Sequence, residues 1–304
     1  MNTILGESFA VLTAILWSGT STLFTLAGEQ VGSRVVNRMR LLMALPILSL
    51  IHLVTAGSLM PLDASPERWG WLGLSAVIGM VIGDGLLFYA FTQIGTRLSM
   101  LLTALAPIFS TLMAWLFLGE TLRPVKIVAI LITLGGIGGV ILERNSTQAQ
   151  TNSPPDVPDH YLRGVLCGIS AAAGQAAGLV LSKQGMNGNF SPLSASLMRV
   201  TVAAATIWLL ALFQQQVRSS FIALRDRQAR RFIASGALVG PTLGMTLSLA
   251  AVQLSDVGIA STLMTLSPVF LLPLAHWIFH ERITVRAVMG TLVTLAGVAM
   301  IFLL

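Results

Sequence analysis

Asp84 is the residue in this sequence best suited to chemistry, because it is an ionisable side chain inside a long uncharged stretch. The nearest charged residues in the chain are Arg68 and Arg97. An ionisable group in an apolar segment is a candidate for substrate contact or ion coupling. Burial disfavours the charged form of a carboxylate, so we expect Asp84 to bind and release a coupling proton. The alternative is a neutral Asp84 that is hydrogen-bonded to a neighbouring helix.

Three basic residues are further candidates. Arg38 and Arg199 lie near the starts of apolar stretches, and Lys183 closes another one. We predict that the two arginines serve gates, since a guanidinium group can hold a carboxylate with two hydrogen bonds. The alternatives are that the two arginines clamp a carboxylate substrate and that Lys183 is a cation of the cavity, or that all three side chains extend to the lipid headgroups and anchor their helices there.

Proline and polar residues inside the apolar stretches predict a solute path. Pro107 and Pro268 would each free a backbone carbonyl four residues earlier, those of Thr103 and Met264, so we predict that both prolines act as hinges. Simple packing kinks are the alternative. The predicted substrate path comprises Trp17, Phe88, Thr103, Gln175, Lys183, Met264 and Thr265.

The composition indicates that these residues lie in a membrane. The 304 residues are 55% hydrophobic and only 10% charged, with a mean hydropathy of +0.82, whereas soluble domains carry roughly 25% charged residues. The net charge of +6 comes from basic residues in short loops, which does not predict nucleic-acid binding. One cysteine, four scattered histidines and no phosphate-binding motif predict neither a metal site nor a cofactor.

Charged residues divide the chain at the interval that spanning helices need, about 20 residues each. Five apolar stretches precede a polar, proline-containing segment at residues 144–160, and five follow it. They carry no charge except Asp84 in the third stretch and Arg199 in the seventh. The sequence therefore predicts an all-α polytopic membrane protein with ten transmembrane helices. The stretch between Lys126 and Glu143 is the shortest, and its helix is expected to extend into flanking residues.

The two halves repeat at a fixed offset of 161 residues. This offset aligns several informative residues: Arg38 with Arg199, Gly79 with Gly240, Gly83 with Gly244, Pro107 with Pro268 and Glu120 with Glu281. A unit with an odd number of spans begins and ends on opposite sides of the membrane, so its copy inserts upside down. We therefore predict two inverted five-helix repeats, residues 1–143 and 161–304, joined by the 144–160 linker. Inverted repeats are typical of secondary transporters.

Several segments resemble the drug/metabolite transporter superfamily, specifically its ten-span EamA-type members. They are Trp17-Ser18-Gly19, Gly83-Asp84 through Phe91, Ala106-Pro107 through Leu122, Ser267-Pro268 through Ile283, and the paired Arg38 and Arg199. The resemblance implies export or exchange of small metabolites, such as amino acids, through a cavity formed by spans 1, 3, 4, 6, 8 and 9. His280 stands where the family usually has glycine.

The distribution of basic residues and the family resemblance favour opposite orientations. The predicted loops after odd-numbered spans hold twelve arginines, namely Arg34, Arg40, Arg97, Arg144, Arg163, Arg218, Arg225, Arg227, Arg230, Arg231, Arg282 and Arg286. The other loops hold four basic residues, Arg68, Arg123, Lys126 and Lys183. Basic loops prefer the cytoplasm, which predicts both termini outside. The resemblance implies both termini inside, so the orientation stays open here.

These observations predict a secondary active exporter of small amino-acid-like or amphipathic solutes, coupled to protons, in the plasma or inner membrane. The expected partners are the solute, protons and the lipid bilayer, with the chain as a monomer or homodimer and no enzymatic activity. An uncoupled facilitator or a multidrug efflux carrier is the alternative. An integral membrane enzyme or a scaffold fits less well, because the apolar stretches hold essentially one carboxylate.

Overall fold

The computed structural model describes residues 2–121, 123–146, 158–267, 269–270 and 285–303, and these residues form helices without a strand. The all-helical prediction is therefore confirmed for this part of the chain. The helices are α1 (Asn2–Val31), α2 (Ser33–Ala56), α3 (Pro66–Ala76), α4 (Asp84–Thr103), α5 (Ala106–Leu118), α6 (Pro124–Ser146), α7 (Pro158–Gly185), α8 (Pro192–Phe213), α9 (Val217–Ala223), α10 (Arg227–Ala237), α11 (Met245–Leu254), α12 (Val257–Met264) and α13 (Val285–Leu303).

Two π-helical segments interrupt this series at equivalent places. The first, π1, joins α3 to α4 over Val77–Gly83, and the second, π2, joins α10 to α11 over Leu238–Gly244. Both have seven residues, and their starts and ends are separated by the offset of 161 found in the sequence. Short π-helical insertions often accompany functional sites. The repeat seen in the sequence is therefore also present in the backbone.

The helix lengths suit a membrane protein. Within the described ranges, six helical stretches are long and apolar enough to cross a bilayer, and α5, α6 and α13 contain shorter apolar segments. The helix α6 spans Pro124–Ser146, so it takes in residues on both sides of its short uncharged stretch, as predicted. The predicted total of ten crossings stays a prediction.

One predicted turn is wrong, and its counterpart in the other half is right. The charge pattern predicted a loop at Arg97, but α4 runs without interruption to Thr103. In the second half the helix does end at Leu254, and α12 starts after Asp256. The carboxylate of Glu120 accepts a hydrogen bond from the Val257 backbone N–H at 2.8 Å, which caps the new helix. Its repeat counterpart Glu281 lies outside the described residues.

The helices on either side of the predicted linker are longer than expected. The helix α6 continues to Ser146, and α7 already begins at Pro158, so both ends of the 144–160 segment are helical. Proline is well tolerated at the start of a helix, because the missing N–H would have no partner there. The central residues 147–157 of the linker lie outside the described part of the chain.

The helices α6 and α13 pack against each other through reciprocal contacts. A Cβ atom built on Gly136 would lie 2.4 Å from the Thr294 hydroxyl oxygen, and one built on Gly297 would lie 2.4 Å from the Thr133 hydroxyl oxygen. Gly136 and Gly297 are equivalent at the offset of 161, and so are the two threonines. Contacts in which equivalent residues exchange roles are those of a two-fold arrangement.

The same exchange of roles governs the centre of the molecule. The first half's continuous helix α3–π1–α4 packs against α7 of the second half, and α10–π2–α11 packs against α1 of the first half. Helix α5 also contacts α7, as α12 contacts α1. Each half therefore supplies its first helix to the other half, and the centre of the protein is an interface between the two repeats.

Candidate functional site

The two π-helical segments position the centre of the site through close glycine contacts. In the first half, a Cβ atom on Gly178 of α7 would lie 3.0 Å from Gly79 Cα, and one on Gly174 would lie 3.3 Å from Gly83 Cα. Small residues at this spacing let helix backbones approach closely. The close approach holds α7 against π1, directly beside Asp84 at the start of α4.

The second half makes the equivalent approach with larger side chains. Gly240 and Gly244 of π2 face α1. A Cβ atom built on Gly240 would lie 2.6 Å from a side-chain atom of Thr20, and one built on Gly244 would lie 2.8 Å from Nε1 of Trp17. Thr20 and Trp17 therefore project into the space that π2 leaves open. Glycines at equivalent positions of π1 and π2 thus allow close packing on both sides of the site.

A cavity of about 390 Å³ lies between the two halves. The first half contributes Trp17, Thr20, Ser21, Phe24, Arg40, Gly79, Met80, Asp84, Leu87, Thr103 and Ala106, and the second contributes Gln175, Leu179, Arg199, Gly240, Pro241, Met245, Ser248, Ser261, Met264, Thr265 and Ser267. Among the described residues each half supplies eleven, and most of the wall surface is apolar although about half of these side chains carry a polar group. This size and character are those of a small-molecule site.

Asp84 forms the polar centre of the cavity together with Arg40 and Gln175. The Arg40 guanidinium Nη2 donates to Asp84 Oδ2 in an ion pair. Gln175 Nε2 donates to Asp84 Oδ1 at 3.4 Å. Arg40 also lies over the Phe24 ring, with Cζ 5.8 Å from the ring centroid. Asp84 thus bridges α4 to α2 of its own half and to α7 of the other half.

Arg199 reaches the cavity from α8 and differs sharply from its repeat equivalent. Its residue surface is 4% exposed, and its Nη1 contacts the thioether sulfur of Met245 at 3.5 Å. Arg38 instead points away from the cavity, where Nη1 donates to Ser220 Oγ at 3.1 Å and Nη2 donates to Gln216 Oε1. Arg38 therefore ties α2 to α9, while Arg199 lines the cavity. A gate role for either residue stays a prediction.

Two equivalent helix breaks lie beside the cavity, and Pro107 follows the first of them. The chain leaves helical geometry at residues 104–105 and again at residues 265–266, which are equivalent at the offset of 161. Pro107 is the second residue of α5, so it lies at the start of a helix, whereas it was predicted to interrupt one. Interrupted helices often line transporter sites. Pro268 lies outside the described residues.

The structure brings together most of the predicted site residues. Trp17, Thr103, Gln175, Met264 and Thr265 line the cavity together with Asp84 and Arg199. Phe88 belongs to the backbone of α4, but its side chain lies outside the described part of the protein.

Lys183 is not among the cavity-lining residues. It forms an ion pair with Glu120, with Nζ 2.6 Å from Oε1, and donates to the Ser255 backbone carbonyl at 2.7 Å. Because Glu120 also caps α12 through Val257, these residues join the end of α5 to the end of α7 and the start of α12. Lys183 therefore stabilises one end of the interface between the halves.

Arg40 lines the cavity but was not predicted as a site residue from the sequence. The distribution of charged residues along the sequence placed Arg40 in the loop before the second span. In the structure α2 begins at Ser33, so Arg40 lies about two turns inside the helix. The repeat contains one signal that links Arg40 to Asp84. At the offset of 161, Asp84 corresponds to Met245 and Arg40 corresponds to Thr201. Both members of the ion pair are replaced together in the second half.

Known proteins share this architecture. A solved crystal structure of another protein superposes with a TM-score of 0.73 over 98% of this chain and 95% of that chain, at 17% sequence identity. Such a similarity shows that the fold is shared. No curated protein matches this sequence.

The family assignment comes from the sequence. The sequence pattern of the EamA-like transporter family matches residues 4–142 and matches again at residues 162–303. These two matches cover nearly the whole chain, one in each half, and they agree with the repeat described above. With its apolar helices, the chain is a multi-pass integral membrane protein and belongs to the EamA-like transporter family.

Proposed function

We propose that this protein is a secondary transporter that moves small amphipathic solutes by alternating access between two inverted repeats. The repeats comprise residues 1–143 and 161–304. The observation that carries the proposal is the central cavity, to which each half contributes eleven of the residues that the structure describes. A solute in this cavity contacts both halves, so rocking of one half against the other would expose it to each side in turn.

The reciprocal contacts support inversion of the repeats. A two-fold relation between two halves with an odd number of spans each requires an axis in the plane of the membrane. The exchange of partners between Gly136–Thr294 and Gly297–Thr133 fits this symmetry. The equivalent π-helical segments and helix breaks beside the cavity would provide matching points of movement in the two halves.

We assign proton coupling to Asp84 because it is the carboxylate in the cavity among the side chains that the structure describes. Protonation would remove the charge that holds Arg40 and would weaken the link between α4 and α2. A change in the charge of the site would thus be tied to a change in helix contacts. An uncoupled facilitator or a multidrug efflux carrier would need the same cavity but no titration of Asp84.

Exchange in proteoliposomes tests the proposed function. We expect the purified protein to exchange at least one labelled solute from a panel of amino acids, organic acids, nucleosides and cationic drugs. The substitution Ser248→Phe should reduce this exchange to background, because Ser248 lines the cavity and the larger ring fills part of it. Leu243→Phe is the matched control on the same transmembrane segment, since Leu243 is 42% exposed on the outer surface.

The exchange measurement distinguishes a transporter from a scaffold and from an enzyme. A scaffold gives no exchange of any solute, and an enzyme releases a chemically altered product. Equal exchange by the wild type and the Ser248→Phe variant would contradict transport through this cavity.

A further inference from the structure

The charges in the cavity do not balance. Among the cavity-lining side chains that the structure describes, Arg40 and Arg199 are positive and Asp84 is negative. Asp84 also acts electrostatically on Arg199, but its two oxygen atoms are hydrogen-bonded to Arg40 and Gln175. One carboxylate therefore serves two guanidinium groups, and the described cavity carries one excess positive charge.

Arg199 is the group left without a proper partner. In the described part of the protein its Nε has no hydrogen-bond acceptor, and the contact of its Nη1 is with the sulfur of Met245. A thioether is a weak acceptor. A buried charge is costly unless it is paired and hydrogen-bonded. Arg199 thus presents unused hydrogen-bond donors in a low-dielectric cavity.

We propose that Arg199 binds the anionic group of the transported solute, which is an amphipathic monoanion such as a carboxylate or sulfonate. A planar guanidinium group matches the oxygen geometry of such anions. A single negative charge would neutralise the cavity. The apolar tail would lie against the surrounding Trp17, Phe24 and Leu179. This inference rests on the proposed function, because it identifies the ligand class of the same cavity.

Comparison of the two repeats suggests a substitution that tests whether Arg199 binds an anion. Met245 occupies the position equivalent to Asp84, and its sulfur lies as many bonds from the backbone as an aspartate oxygen does. The substitution Met245→Asp therefore places a carboxylate oxygen next to Arg199 Nη1, where the sulfur now lies at 3.5 Å. This internal anion would occupy Arg199 and compete with the ligand.

Ligand binding is measured with compounds that share one carbon skeleton. The probes are phenylpropanesulfonate, hydrocinnamate, phenylalanine, phenylpropylamine and phenylpropanol, added to the purified full-length protein in detergent. We expect the sulfonate and hydrocinnamate to raise the thermal midpoint most, and the amine and alcohol to leave it unchanged. Phenylalanine should bind more weakly than hydrocinnamate, because its ammonium group meets the excess positive charge.

Variants then assign the anion site to Arg199. We expect Arg199→Gln to weaken sulfonate binding by about tenfold or more, because the variant loses the charged hydrogen-bond donors. Arg199→Lys should weaken binding less, because lysine keeps the positive charge but cannot form the paired hydrogen bonds of a guanidinium group. Met245→Asp should weaken binding by a similar factor of about ten. Met245→Asn has the same shape without the charge and should have a clearly smaller effect. Arg218→Gln, an exposed change on α9, is the arginine control and should bind as the wild type does.

The outcomes separate this inference from the proposed function. Equal stabilisation by the sulfonate and the amine, absence of stabilisation by every probe, or equal effects of Met245→Asp and Met245→Asn would overturn the inference. Because the binding measurement needs no turnover, Arg199-dependent anion binding without solute exchange in vesicles would count against transport alone. Exchange of cations or neutral solutes that is insensitive to Arg199→Lys would count against the anion site alone.

Discussion

We expect the substitution Asp84→Asn to abolish stimulation of solute exchange by a pH gradient, while the protein still inserts and folds. Asparagine keeps the size of the side chain, and its single amide oxygen can still accept the hydrogen bond from Gln175, but it has no second oxygen for Arg40 and cannot carry a proton. The side chains of Arg40 and Asp84 are 19% and 20% exposed, so water can hydrate the guanidinium group that loses its partner. The measurement is exchange of the best panel solute in proteoliposomes, with and without an imposed pH gradient.

A matched carboxylate outside the cavity provides the control for this experiment. Asp63→Asn makes the same chemical change at an exposed position between α2 and α3 and should leave the pH response intact. Exchange without a pH gradient should persist in Asp84→Asn, because the cavity remains open. An Asp84→Asn variant that responds to the gradient as the wild type does would remove Asp84 from the coupling mechanism.

The variants Gly136→Val and Gly297→Val should both destabilise the protein strongly and to a similar extent. Each added side chain would meet the facing helix at its backbone, since a Cβ atom on Gly136 lies 2.5 Å from the Thr294 backbone nitrogen and one on Gly297 lies 2.7 Å from the Thr133 backbone nitrogen. Overpacking of this kind typically costs about 1–3 kcal/mol. Thermal unfolding of the purified variants gives the comparison.

Gly135 is an internal control for the packing of α6. A Cβ atom at this adjacent position has no neighbour within 4 Å, so Gly135→Val adds the same side chain without a clash. We expect this variant to unfold close to the wild-type temperature. If Gly136→Val were as stable as Gly135→Val, or if only one of the two reciprocal variants were destabilised, the two-fold contact between α6 and α13 would be wrong.

The overall architecture was predictable because it rests on patterns that recur along the chain. Uncharged stretches indicated membrane helices, and the offset of 161 aligned glycines that proved to end both π-helical segments, Gly83 and Gly244. Asp84 stood out because isolated charges in apolar helices are rare. These features depend on local sequence and on repetition, which a single sequence shows directly.

The partners of the charged residues could not be predicted from spacing. Lys183 lies next to Glu120 although the two residues belong to different halves, and Arg38 and Arg199 differ in their surroundings although they occupy equivalent positions. Arg40 was assigned to a loop because a charge near a predicted span end does not indicate how deep the helix places it. Each of these contacts is set by tertiary packing between the repeats.

Accessibility of the cavity from both sides of the membrane tests the central claim most directly. The chain has one cysteine, Cys167, so a Cys167→Ala background allows Ser21→Cys in the cavity to be labelled selectively. Leu12→Cys on the outer surface of the same helix is the control. We predict that a membrane-impermeant thiol reagent labels the cysteine at position 21, and not that at position 12, when applied from either side of sealed vesicles. Labelling from one side alone, under every solute and pH condition, would contradict alternating access through this cavity.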